Sequence, residues 1–325
     1  MPTTLTLQEL YKPIQSELEQ VRAETGKLWE QVIALVDGAA SPRPRNGGKL
    51  LRPALCLLSA GAAGTSELSR FVPLAAAMEL FHIAALAHDD VIDGSQLRRG
   101  APSLNAMWNE HAAVLAGDYL VARGMALMAS YNSCRAIVDG ARCIQHMAEG
   151  ELVDFGAGPG HFTRDGCIEL ARAKTASLFA VACATPAFFI DPTYWQPLHE
   201  FGLALGIAFQ LIDDLLDLSQ GEDALGKPAC GDLAAGKKTL PILFMRESLE
   251  PDGLARLDAM RNARVSPDDR RWVAETLETS GARHRTEAVA REYADEARRL
   301  LTGLPPGLCR DAMAGLTEFT IVRGA

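Results

Sequence analysis

Two aspartate clusters with identical spacing stand out among the residues that could do chemistry. Each reads D-D-x-x-D and lies at the end of an otherwise apolar stretch, LAHDDVIDG in one case and FQLIDDLLDLSQG in the other. The six residues are Asp89, Asp90, Asp93, Asp213, Asp214 and Asp217. On a helix the first and last Asp of each cluster share one face, about one turn apart. We therefore expect their carboxylates to converge.

Both clusters occupy an unfavourable electrostatic position. Gly94 follows the first cluster directly and Ser219 to Gly221 closes the second, so each lies at the negative end of a helix dipole. An anion there is disfavoured by about 0.3–1 kcal/mol, and like charges at i, i+4 add a similar cost. Burial increases both costs. A bound cation would offset them, and hard oxygen ligands suit Mg²⁺ shared with substrate phosphates.

Cationic side chains follow each cluster along the chain. Arg98 and Arg99 come after the first, and Lys227, Lys237 and Lys238 come after the second. Arginine forks and lysine ammonium groups both bind phosphate oxygens. Upstream, NGGKLLRP carries two further cations after a Gly pair, and a histidine lies two turns before Asp89; these residues are Lys49, Arg52 and His82. The pattern indicates a site for two phosphorylated substrates with a divalent metal.

Taken together, these motifs resemble the trans-polyprenyl diphosphate synthases, which make geranylgeranyl and longer prenyl diphosphates. GGKLLRP, HDDVIDGSQLRRG, AVLAGDYL, KTASLF, FQLIDDLLD and LGKPACGDLAAGKKTLP occur in the family's order and cover about residues 45–245. The resemblance implies a single all-α domain, a helical barrel of the type I isoprenoid synthase kind, spanning 1–325. It also implies a homodimer and about three Mg²⁺ ions per site.

The resemblance assigns a role to each motif residue. Metal ligands would be Asp89, Asp90, Asp93, Asp213 and Asp217, with Asp214 and Lys174 also in the catalytic set. The allylic diphosphate would bind Arg98, Lys174, Thr175, Gln210, Lys227 and Lys237. Isopentenyl diphosphate would bind Lys49, Arg52, His82 and Arg99. Ionisation of the allylic diphosphate, attack by the isopentenyl double bond and loss of a proton would complete the reaction.

The length of the product depends on the wall beyond Asp89. Bulky aromatic residues one turn before the first motif stop elongation early in this family, and Ala84 and Ala85 stand there instead. Phe81, about 12 Å down the helix from Asp89, would form a deeper floor. Met125 and Met128 on a neighbouring helix would plug the tunnel. We expect a C20 or longer product and favour a long chain.

Other functions share parts of this pattern. A farnesyl synthase, a terpene cyclase-like enzyme and a non-catalytic subunit of a heteromeric synthase have the same expected fold. The cyclase has less use for Lys49, Arg52 and His82, and a degenerate subunit would not keep both aspartate clusters intact. An HD-type metal phosphohydrolase would use His82, His88, Asp89 and Asp93, but it leaves FQLIDDLLD and GGKLLRP without a role.

The elements that carry these residues are predicted to be helices throughout, since apolar residues recur at helical spacing and no window alternates as a half-buried strand does. The predicted helices are 14–36, 50–63, 69–93, 110–130, 133–154, 166–190, 193–218, 239–249, 253–262, 267–279, 282–302 and 307–322. The Gly- and Pro-containing segments 38–48, 94–103, 155–162 and 219–232 are predicted loops. Residues 250–325 would wrap the core without building the site.

Composition narrows the partners and the compartment. A net charge of −9 argues against nucleic-acid binding, which needs a basic surface. The most apolar window, 176–190, is shorter than the about 20 residues of a membrane helix, so we expect no span. The N-terminus lacks a secretory signal and the seven cysteines form no CxxC pair. We therefore expect a cytoplasmic protein with reduced thiols.

Overall fold

The computed structural model describes residues 6–37, 48–98, 100–156, 162–219, 229–261, 263 and 265–323. The fold is all-α, as predicted. Its α-helices are α1 (Leu7–Leu10), α2 (Gln15–Asp37), α3 (Leu51–Ala62), α4 (Val72–Ile92), α5 (Leu104–Met107), α6 (Glu110–Ala129), α7 (Cys134–Gly156), α8 (Arg164–Ala171), α9 (Ser177–Ala184), α10 (Trp195–Ser219), α11 (Gly231–Ala234), α12 (Leu240–Ser248), α13 (Pro251–Ala259), α14 (Pro267–Thr279), α15 (Ala282–Leu300) and α16 (Leu308–Val322).

Shorter elements join these helices. A π-helical turn, Arg172–Ala176, connects α8 to α9, and a two-stranded antiparallel hairpin, β1 (Leu97–Arg98) and β2 (Ala101–Pro102), follows α4. The 3₁₀ turns are Lys12–Ile14, Leu68–Phe71, Thr185–Phe189, Pro192–Tyr194 and Leu301–Gly303. Side chains cap several helix starts; at α6, for example, the Asn109 side chain accepts a hydrogen bond from the Ala112 amide.

Glycines allow the two aspartate-bearing helices to pack closely against their neighbours. A Cβ at Gly206 of α10 would lie 2.5 Å from Cα of Ala176, and one at Gly202 would lie 2.5 Å from Cα of Ala180 in α9. On α6, a Cβ at Gly117 would lie 2.2 Å from Nε2 of His88 in α4. The backbone contacts at Gly202 and Gly206 exclude any side chain there, so these glycines set the spacing between α10 and the neighbouring α9 and π-helical turn.

The structure corrects two predicted segments. The predicted helix 166–190 is divided into α8, the π turn, α9 and a 3₁₀ turn, because one extra residue widens the backbone at Arg172–Ala176. The predicted loop 94–103 contains the hairpin, in which Leu97 pairs with Pro102 and Arg98 with Ala101. Neither feature has a hydrophobic period long enough to detect. The single-domain organisation stays a prediction.

Two segments of the described chain are long and apolar enough to cross a membrane by length and composition alone. They are Leu68–Ile92, with 67% of its apolar window buried, and Glu110–Ala129, with 33% buried. Core helices of soluble proteins meet the same criterion, so this is weak support for a span. The second segment, α6, presents part of its apolar surface outward, including Val114 and Leu115.

Candidate active site

One cavity of about 510 Å³ brings the two aspartate motifs together. Asp89 of α4 and Asp214 of α10 line it, and Lys174, Asp232 and Lys237 complete its polar end. The remaining wall is largely apolar and includes side chains from α4, α6, α7 and α8, namely Phe81, Ala85, Ile92, Val121, Ile144, Met147, Leu152 and Leu170. A charged mouth and an apolar interior suit an amphiphilic substrate.

The three aspartates of the first motif have different surroundings. Asp89 faces the cavity, where burial, reinforced by the nearby Glu151 carboxylate, raises its pKa to about 6. The Asp93 carboxylate accepts a hydrogen bond from Lys237 Nζ at 2.8 Å. Asp90 is 3% exposed and accepts hydrogen bonds from the Arg98 guanidinium, with Nε at 3.0 Å from Oδ1. Asp90 thus fixes the hairpin arginine, while its assignment as a metal ligand stays a prediction.

The second motif is held by a network of hydrogen bonds at one side of α10. The Gln210 amide donates to Asp214 Oδ1 at 2.7 Å, and the Thr175 hydroxyl donates to Gln210 Oε1 at 2.6 Å. Asp217 Oδ2 accepts from the Asp232 backbone amide at 2.9 Å. Burial, with the Asp232 carboxylate, raises the pKa of Asp214 well above its usual value. These hydrogen bonds therefore hold Asp214 and Asp217 in place, although the carboxylates of the motif repel one another.

Lysine side chains neutralise part of this negative charge. The site has two acidic walls, one formed by the first motif and the other by the second motif with Asp232, whose amide contacts Asp217. Lys237 Nζ joins them, since it lies 2.8 Å from Asp93 Oδ2, directly after α4, and 3.4 Å from Asp232 Oδ1. Burial alone would lower the pKa of Lys237. The Asp232 and Asp93 carboxylates together have the larger effect, and the pKa is raised. Lys174 is paired with Glu151 at 2.8 Å and with Asp154 at 2.9 Å. Both lysines remain charged beside the cavity.

The predicted isopentenyl site is partly described. Lys49 is exposed just before α3, and the next residue, Leu50, adopts a left-handed conformation (φ 48°) at the helix start. Arg52 in the first turn of α3 stacks on Phe179, with the guanidinium 4.8 Å from the ring centroid. His82 is half-buried on α4. Arg99 and Lys227 lie outside the described residues.

Four polar residues of the site were not predicted from the sequence: Glu151, Asp154, Asp232 and Arg323. Arg323, at the end of α16, stacks 3.6 Å from the Phe209 ring centroid, and its Nη2 lies 3.5 Å from Asp213 Oδ1. Phe209 in turn packs on Phe179, the ring beneath Arg52. The acid pair at i, i+3 in GELVDF was a usable signal for α7, whereas nothing near the chain end indicated Arg323.

The predicted chain-length residues divide into two groups. Phe81 and Ala85 line the cavity. Ala84 is fully buried in a cluster between α4 and α6, and so it does not form the wall. Met128 is also fully buried, and the space a Cβ would take at Gly140 is filled by Met128 Sδ, with Met125 Sδ close by. Neither methionine lines the cavity, so the predicted plug has no support from its lining and stays a prediction.

The donor set fits a divalent cation only in part. Within residues 6–323, excluding the segments left undescribed, no three His, Cys, Asp or Glu side chains converge closely enough to hold a metal ion. The carboxylates are nevertheless the hard oxygen donors that Mg²⁺ prefers, and Lys237 already occupies a cationic position between the two acidic walls. Protein ligands from each wall would need diphosphate oxygens to complete the coordination. This matches how Mg²⁺ is usually bound at phosphate sites.

An all-α fold with aspartate motifs on two helices beside one cavity defines the isoprenoid synthase class. The chain belongs to the polyprenyl synthetase family, whose model matches residues 35–277. It is a trans-prenyltransferase. Membership in this family removes the support for the HD-type phosphohydrolase.

Individual relatives can be aligned with nearly the whole chain. The all-trans-nonaprenyl-diphosphate synthase (geranyl-diphosphate specific) of Rhodobacter capsulatus is 35% identical over 295 residues, which is 90% of each chain. The octaprenyl diphosphate synthase of Escherichia coli is 32% identical, covering 98% of this chain and 97% of that one. The polyprenyl synthase of Caulobacter crescentus, solved with calcium and isoprenyl diphosphate, superposes over 100% of both chains with a TM-score of 0.89 and 32% identity.

Proposed function

We propose that this protein condenses isopentenyl diphosphate with an allylic prenyl diphosphate, in a Mg²⁺-dependent reaction, to give an all-trans polyprenyl diphosphate of C20 or longer. The observation that supports it most is the shared cavity, which has Asp89, Asp214, Lys174 and Lys237 at one end and apolar side chains beyond them. Such a cavity separates the diphosphate from the hydrocarbon tail of one substrate. Geranylgeranyl diphosphate is the shortest product in this range.

The residues of the cavity can bind and orient the allylic substrate. Lys174 and Lys237 place positive charge at the polar end of the cavity, where the diphosphate would lie, and Arg98, which pairs with Asp90 outside the cavity lining, would add to it. The hydrogen bonds from Thr175 to Gln210 and from Gln210 to Asp214 keep the second motif oriented towards the cavity. Bound Mg²⁺, three ions in our proposal, would supply further positive charge against the departing diphosphate. These Mg²⁺ ions would be held by Asp89 and Asp93 on one wall and by Asp213 and Asp217 on the other.

Cleavage of the allylic carbon–oxygen bond leaves diphosphate and an allylic cation. The double bond of isopentenyl diphosphate then forms the new carbon–carbon bond, and one proton passes to the released diphosphate. Lys49, Arg52, His82 and Arg99 would hold the isopentenyl diphosphate. Apolar side chains such as Val121, Ile144 and Met147 keep water from the cation. The described site therefore requires no protein nucleophile.

A long product is favoured by the interior of the cavity. Ala85 leaves the wall one turn before Asp89 open, and Phe81 lies about 12 Å from Asp89 along α4. The relatives from R. capsulatus and E. coli carry names for nonaprenyl and octaprenyl products. We infer that the chain makes a product in this longer range.

We also propose that the enzyme is a cytoplasmic homodimer without a membrane span. The exposed apolar side chains of α6, Val114 and Leu115, would be covered by a second copy. Asp118 and Arg123 lie in the middle of the same helix, which disfavours a position within lipid. Sedimentation of the purified protein across a range of concentrations tests the assembly.

The activity is tested by incubating the purified protein with Mg²⁺, isopentenyl diphosphate and, separately, dimethylallyl, geranyl or farnesyl diphosphate. The products are dephosphorylated and sized by chromatography. The proposal expects chain extension to C20 or beyond with at least one primer and none in the presence of a chelator. Absence of extension with every primer, or extension that survives the chelator, would contradict it.

A further inference from the structure

The inner part of the cavity contains an unusually close contact between α4 and α6. Phe81 of α4 lines the cavity and is only 2% exposed. Its ring lies against Gly124 of α6, where a Cβ would be 2.5 Å from Cε1, 2.9 Å from Cδ1 and 3.1 Å from Cζ. The ring therefore occupies the volume that any side chain at position 124 would need.

A methyl group at position 124 would force the ring to move. Carbon atoms in contact are normally about 3.5–4.0 Å apart, so the nearest ring atom would have to shift by about 1 Å. The neighbouring Met78, Leu80 and Ala84 of α4 and Leu120 of α6 have no exposed surface, and a close-packed interior resists displacement in their direction. The cavity is the open side of the ring.

From this geometry we propose that Gly124 is a specificity-determining residue. Because Gly124 has no side chain, the Phe81 ring can pack against α6 and leave more of the elongation cavity free, and this sets product length. This inference rests on the proposed prenyl transfer. It concerns only where elongation stops, because the atoms nearest to a Cβ at Gly124 all belong to Phe81. A larger residue at 124 would move the floor towards Asp89 and shorten the space for the hydrocarbon.

The test compares product lengths of the wild-type enzyme and Gly124→Ala, with the number of isopentenyl units transferred measured in the same reactions. The expected result is a distribution shifted towards shorter products, with extension of the first primer retained. Gly140→Ala is the matched control. It also places a Cβ against a buried side chain, 2.7 Å from Met128 Sδ, but Met128 does not line the cavity. This control should leave the distribution unchanged.

The ring itself is tested by Phe81→Leu, alone and with Gly124→Ala. If the ring transmits the effect, the double variant should give the same products as Phe81→Leu. Should Gly124→Ala alone fail to fold, the proposal requires that Phe81→Leu restore folding in the double variant. An unchanged distribution in Gly124→Ala, a similar shift in Gly140→Ala, or a double variant still shorter than Phe81→Leu overturns the inference. If the wild-type enzyme itself extends no primer, the proposed function is refuted instead.

Discussion

Replacing Asp89 with Asn should stabilise the metal-free protein while removing its activity. Burial and the Glu151 carboxylate raise the pKa of Asp89 from 3.8 to about 6, so the folded state binds the proton more tightly than the unfolded chain. The resulting stability is fully present below the unfolded pKa and is lost as pH rises through 6. At about pH 8, the ionised carboxylate costs up to about 3 kcal/mol, since each pKa unit is worth about 1.4 kcal/mol.

The assay is urea unfolding of the metal-free protein at two pH values. The advantage of Asp89→Asn over the wild type should be about 1.5 kcal/mol near pH 5, where the folded wild type is mostly protonated, and should approach about 3 kcal/mol near pH 8. Asp93→Asn is the matched control, because it instead removes the negative charge that pairs with Lys237 Nζ at 2.8 Å and should bring no stabilisation. An equal gain at both pH values, or a less stable Asp89→Asn at pH 8, refutes the reasoning.

Four further substitutions test other parts of the site. Asp213→Ala should cut turnover severely with an unchanged circular dichroism spectrum, and a normal rate would remove it from the site. Ala85→Phe should shorten the product on chromatography, whereas Ala84→Phe should cost about 1–3 kcal/mol in urea unfolding because its site has no free space; the reverse pattern would contradict the wall assignment. Glu151→Gln removes a charge that raises the pKa of Asp89, so the acid limb of the pH–rate profile should move to lower pH, and a shift upward would be inconsistent.

The helices and the two motifs were predictable because both follow from short periods along the chain. The apolar spacing of α4 and α10 predicted the helices that carry the two motifs, and the structure brings Asp89 and Asp214 to one cavity, although the spacing had favoured Asp213 and Asp217 on α10. The resemblance also carried Lys174, Thr175 and Gln210, all of which line that cavity. Sequence spacing alone assigns no such role to an isolated lysine or glutamine.

What the sequence did not indicate depends on contacts between distant segments. Ala84 and Ala85 are adjacent and chemically identical, yet only the packing of α6 decides which one faces the cavity. Arg323 and Asp213 are in contact although more than a hundred residues separate them in the sequence, so no local pattern predicts the pair. The pairing of Asp90 with Arg98 likewise depends on a hairpin too short to leave a periodic signal.

The central claim is that the two acidic walls bind the allylic diphosphate together with Mg²⁺. The most direct test is calorimetric titration of the protein, with and without Mg²⁺, with an allylic diphosphate analogue whose carbon–oxygen bond cannot be cleaved. The account predicts tight binding only when Mg²⁺ is present, because the carboxylates of Asp89, Asp93 and Asp213 otherwise repel the diphosphate. Equal affinity in the absence of a divalent cation would contradict it.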